Sequence, residues 1–165
     1  MLKKIACFTA LFALAGISLQ AEELITDGVD AKGAPKGWIL YGKGPGLVKV
    51  ENKMIHITDQ SAENEWGIRK TLPITGSGKY TFTLDGACTV AGAQMVAVVR
   101  PVGQTKSKVI GIKQVPVTGA ADKFQKTAFT VDVPENCDNI VFHIYSQYQP
   151  MADFIIRSID FAQAK

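Results

Sequence analysis

The alternation of polar and apolar residues from Lys79 to Asp85 is the strongest constraint on the fold. Tyr80, Phe82 and Leu84 take one parity, and Lys79, Thr81, Thr83 and Asp85 take the other. That two-residue period belongs to a strand with one face buried and one face wet. Short runs of similar character recur at 37–41, 47–50, 53–58, 65–72, 93–100, 108–115, 124–133, 139–147 and 153–162. Connections bearing glycine or proline separate most of them, including 42–46, 76–78 and 134–136. From Leu24 onward almost no segment carries a helical period. Each sheet needs a second layer over its apolar face, so this pattern predicts an all-β sandwich of two packed antiparallel sheets.

The N-terminus follows a different rule. Lys3 and Lys4 precede an apolar run from Ile5 to Leu19, followed by Gln20 and Ala21. This order is that of a secretory signal peptide, too short and too poorly flanked for a membrane span. Residues 1–21 are therefore expected to be removed, with cleavage after Ala21 or after Ser18, and residues 22–165 to form one domain. No cysteine follows Leu14-Ala15-Gly16, so no lipid or membrane anchor is expected, and the product is placed in the periplasm or outside the cell. The full chain has 18 basic and 15 acidic residues. Without Lys3 and Lys4 the balance is 16 against 15, a net charge of +1. Lys106, Lys108, Lys113, Lys123 and Lys126 cluster in sequence, but the first three lack the interleaved aromatics of a nucleic-acid stacking surface. A nucleic-acid partner is not expected.

Cys88 and Cys137 are the cysteines beyond the leader. An even number in an exported chain permits one disulfide, and two separate small apolar side chains are the alternative.

The order Pro35-Lys36-Gly37-Trp38, then Val48 to Asn52 leading to Ile55-His56-Ile57, then Trp66-Gly67-Ile68, resembles the opening half of bacterial jelly-roll carbohydrate-binding modules of the galactose-binding-like superfold. Gly78 to Phe82, Phe124 to Val131 and Ile155 to Phe161 resemble later strands of the same modules. The resemblance implies a two-sheet antiparallel jelly-roll sandwich of about 8–10 strands, with Trp38 as a core plug. It further implies a secreted, non-catalytic protein whose partner is a glycan. Modules of this kind often place paired aspartates beside a structural calcium. Here only Asp160 stands at the matching place, while Asp27 and Asp30 read as turn residues; no cofactor or metal is expected.

Catalytic patterns are thin. Ser77 lies in Thr75-Gly76-Ser77-Gly78, which lacks the spacing of a nucleophile elbow. Asp59, Glu63 and Glu65 read as one solvated acidic loop, since the opposed carboxylates of a glycosidase come from separate elements. His56 with Asp59 has too few neighbours for a metal.

Binding chemistry is better represented. In the segment 139–147, Ile140, Phe142 and Ile144 share one parity, leaving Val141, His143, Tyr145 and Gln147 on the other. A ring for the C–H face of a sugar and planar polar groups for its hydroxyls then stand together. A second strand adds Gln94 and Arg100, Arg69 and Thr71 extend the surface, and Tyr148 offers a further ring from the following loop. An ordinary solvent-facing sheet would show the same alternation. Two function classes follow: a carbohydrate-binding module, or an exported sandwich that recognises another protein through its loops or a strand edge.

Overall fold

The computed structural model describes residues 22–25, 28–90, 95–102, 108–115, 120–146 and 152–164. The expected leader, 1–21, lies outside them. The described strands are β1 (Glu22–Glu23), β2 (Ile39–Gly42), β3 (Gly46–Glu51), β4 (Met54–Asp59), β5 (Trp66–Pro73), β6 (Gly78–Cys88), β7 (Met95–Pro101), β8 (Gly111–Val115), β9 (Ala120–Val133), β10 (Asn139–Ser146) and β11 (Asp153–Gln163). Apart from the short β1, each corresponds to a segment expected from the alternation, with ends shifted by a few residues.

The strands form two antiparallel sheets. One runs β3-β4-β11-β6-β9, and β1 continues the β4 lane by pairing with Asp160 and Phe161 of β11. The other runs β2-β5-β10-β7-β8. The all-β sandwich predicted from the sequence is the observed architecture, and no helix occurs among the described residues.

Aromatic side chains join the layers. Phe82 of β6 stacks on Phe142 of β10 with ring centroids 4.4 Å apart. Phe161 and Phe129 flank Phe82 at 4.8 and 5.4 Å. Trp38 is buried, as expected of a core plug, and its Nε1 donates to the Leu24 carbonyl oxygen at 3.0 Å. Burying each such aromatic removes enough apolar surface from water to contribute about 2–3 kcal/mol. Trp66 takes the core-facing parity beside Ile68 and is half-buried against Gly46.

Three expectations change. The Cys88–Cys137 disulfide is absent: both side chains are buried free thiols. Val133 pairs with Gly78 at one end of β6, and Ile74 N donates to the Asp138 carbonyl at that same end. Cys88 closes the other end of β6, ten residues or roughly 30 Å away. Four residues from Val133 to Cys137 reach at most about 14 Å, far short of the approach a disulfide needs. Each thiol has a local partner instead. Cys88 Sγ accepts from Val90 N at 3.5 Å, and Cys137 Sγ donates to the Asn139 carbonyl at 3.1 Å.

The other two changes concern carboxylates. Asp59 is not part of a solvated loop; it is fully buried at the end of β4 and accepts from Ser61 N at 2.9 Å. Asp85 has the wet parity of β6 yet is buried, because Arg157 lies on it with Nη2 2.6 Å and Nε 3.0 Å from Oδ2. Asp30 keeps the turn role read from the sequence, accepting from Lys32 N and Ala34 N at 2.8 and 3.0 Å. Asp27 lies outside the described residues.

Candidate functional site

Strand register assembles the outward face of the second sheet in rows. Tyr41 of β2 stands opposite Gly67 of β5, and Gly67 opposite Tyr145 of β10. In the next row Ile39, Arg69, His143 and Val98 follow one another across β2, β5, β10 and β7. Thr71, Val141 and Arg100 form the third. The opposite parity of β10, Ile140, Phe142 and Ile144, is fully buried in the core, so these rows have only one direction left to face.

The absence of a side chain at Gly67 shapes the first row. A Cβ there would run into the Ile144 carbonyl oxygen and would lie 2.8 Å from Tyr145 Cβ, tighter than side chains tolerate. With that space clear, the rings of Tyr41 and Tyr145 meet across the intervening strand, centroids 5.5 Å apart. Tyr41 also sets its ring edge-on to His143 at 4.7 Å, and its hydroxyl donates to Glu65 Oε1 at 3.4 Å. Three rings with polar tips thereby hold one another in place.

An open cleft of about 320 Å³ lies beside them, lined by Tyr41, Arg69, Arg100, Val141 and His143 together with Pro101 and Val102. A smaller hollow of about 270 Å³ adjoins it at Tyr41 and Arg69, where Lys43 and Glu65 also contribute. His143 is buried despite its outward parity. That burial, then the positive charges of Arg100 and Arg69, lower its pKa from 6.5 to about 4. The imidazole is consequently neutral near pH 7 and offers one donor and one acceptor. Burial and the neighbouring Glu65 carboxylate raise the pKa of the Tyr41 hydroxyl, which remains a proton donor. The site offers stacking surfaces, neutral hydrogen-bonding groups and two guanidinium forks, the repertoire for holding a polar ring compound.

Of the residues singled out from sequence, Arg69, Arg100, His143 and Tyr145 come together on this one face, and Thr71 stands at its border. Gln94, Gln147 and Tyr148 lie outside the described residues. Sequence reasoning missed Tyr41 and Gly67. The parity of Tyr41 with the exposed Ile39 was available in the alternation, but the pairing of β2 with β5 that carries it to His143 was not. His56, the other histidine, sits on the first sheet and contacts Asp153 Oδ2 through Nδ1 at 3.1 Å. Among the described residues no group of three or more His, Cys, Asp and Glu is placed to hold a metal ion.

No protein-family model matches the chain, and no curated protein matches its sequence. Solved structures match its fold at low identity. The CBM22-1 xylan-binding domain from Paenibacillus barcinonensis Xyn10C superposes with a TM-score of 0.58 at 15% identity, covering 90% of this chain and 99% of that one. TmCBM61 in complex with beta-1,4-galactotriose gives 0.58 at 11% identity, covering 81% and 92%. The enzymatically active domain of bacteriophage CBA120 tailspike protein 4 gives 0.63 at 10% identity over 86% of this chain, which spans only 21% of that tailspike domain. The chain thus has the jelly-roll β-sandwich fold found in carbohydrate-binding modules.

Proposed function

We propose that the protein is an exported, non-catalytic carbohydrate-binding module that holds a glycan on the outward face of its second sheet. One observation carries the reading: strand register gathers Tyr41, His143, Arg69 and Arg100 around a single open cleft, with the Tyr145 ring set against that of Tyr41. Tyr145 presents a ring to the C–H face of a sugar. His143 and the arginines supply hydrogen bonds to its oxygens. The leader-like pattern of residues 1–21 supports the exported part of this role.

Binding measured against a glycan array, then by calorimetry on the best ligand, tests the proposal. Tyr145→Ala is expected to weaken binding about tenfold through loss of ring contact, with the melting temperature little changed. Lys79→Ala, on the exposed surface of the first sheet, is the control and should bind as the parent does. Equal affinity in both variants would move the site elsewhere.

A second reading, an exported sandwich that docks another protein, draws on the exposed Ile39 and Ile112 carried by the edge strands β2 and β8. A folded protein that binds no glycan, but whose association with an exported partner is lost on Ile112→Lys, would favour it.

A further inference from the structure

We infer that the glycan taken by this face is a polyuronate, whose carboxylates are received by Arg69 and Arg100. The inference rests on the carbohydrate-binding reading above and adds the chemical class of the ligand.

The first support is an uncompensated charge. Arg69 and Arg100 both line the main cleft, and among the described residues no carboxylate does. The adjoining hollow adds the cation Lys43 and one carboxylate, Glu65, which accepts from the Tyr41 hydroxyl. The two hollows together therefore hold three cations against one anion. Elsewhere the chain pairs such groups: Arg157 lies on Asp85 at 2.6 Å, and Lys49 on Glu51 at 3.0 Å. Among the described residues neither Arg69 nor Arg100 has a carboxylate partner. Segments 91–94, 103–107, 116–119 and 147–151, which directly precede or follow strands of this sheet, contain no aspartate or glutamate at all. With a nearly balanced charge over residues 22–165, the positive excess is a property of this face and not of the molecule.

The second support is geometry. Arg69 and Arg100 stand on β5 and β7, the two strands flanking β10, and in successive rows. Strand spacing and rise put their Cα atoms roughly 12 Å apart, with Val141 and His143 as the floor between them. A chain lying diagonally across that floor meets one guanidinium after the other. A planar carboxylate matches the guanidinium fork through two parallel, charge-assisted hydrogen bonds. Hydroxyls of a neutral sugar would leave both positive charges without a counterion on a face where His143 is neutral.

Calorimetry of the folded chain with polygalacturonate, alginate, fully methyl-esterified pectin, neutral xylan and carrageenan tests this. The expected result is binding to at least one of the two polyuronates at least tenfold tighter than to esterified pectin or xylan, weakening as salt is raised. Arg69→Gln and Arg100→Gln should each lose about tenfold on that polyuronate, and Arg100→Lys, which keeps the charge but not the fork, should lose part of that. Unfolding followed on the same samples separates lost binding from lost fold; a variant that does not fold is replaced by its lysine counterpart. Esterified pectin or xylan binding as tightly as the polyuronates, or arginine variants that bind as the parent does, would overturn the inference and leave the carbohydrate-binding reading standing. Preference for carrageenan would overturn the carboxylate assignment in favour of a sulfate ester. A folded protein that binds none of these polymers and no glycan on an array would overturn both.

Discussion

His143 faces outward from the middle of β10 and is nonetheless buried, because the ring of Tyr41 closes over it and Arg69 and Arg100 flank it. Burial and those two cations oppose its protonation, holding its pKa at about 4 against 6.5 in the unfolded chain. Between these values the unfolded chain binds a proton that the folded one does not. The contribution to stability is therefore fully present above about pH 6.5 and is lost as pH falls toward 4, by at most about 3 kcal/mol. Denaturant titrations across this range should show the parent losing stability with falling pH more steeply than His143→Gln. The difference between the two should level off above pH 6.5, and parallel pH profiles would contradict this account. Gly67 acts at the same scale in the opposite way, since what it lacks is what lets Tyr41 and Tyr145 meet.

At the scale of the element, β11 departs from regular geometry. Its register against β6 shifts between Ile156 and Ser158, so Arg157 occupies a bulge. A bulge bends the strand and re-aims one side chain, and here the re-aimed side chain reaches Asp85 while its guanidinium lies over the Phe124 ring at 4.4 Å. The Asp85 side chain is only 4% exposed, but that of Arg157 is 56% exposed, so water screens part of the attraction. Removing Arg157 strands a buried carboxylate, and Arg157→Ala is expected to cost about 1–3 kcal/mol in urea denaturation. In a double-mutant cycle, Arg157→Ala should cost much less in an Asp85→Asn background. Additive losses would mean that the pair is not coupled.

Across the whole molecule, the two layers are held by the Phe82–Phe142 stack and its aromatic neighbours without a covalent staple. Cys88 and Cys137 stand at opposite ends of the sandwich, and burial raises the pKa of the Cys88 thiol, which makes it a poor nucleophile. Protein comprising residues 22–165 should yield two thiols when denatured without reductant, and its melting temperature should not respond to dithiothreitol. A reductant-dependent fall in melting temperature would show that the ends of the fold are closer than this structure has them.

Alternation along the chain determined the strands and their buried faces, because a side chain's parity on a pleated strand is a local property. The outward placement of Arg69, His143 and Tyr145 was legible for that reason. Parity does not say which strand lies next to which, and that is what brought Tyr41 over His143 and Arg100 to the far side of Val141. It also says nothing of distance along a sheet, so an even pair of cysteines suggested a bond that the length of β6 forbids. Asp85 had the wet parity and became buried because a bulge on another strand turned Arg157 onto it. Local periodicity decides which way a residue points; pairing partners, register and bulges, set by packing two sheets over one core, decide what it meets there.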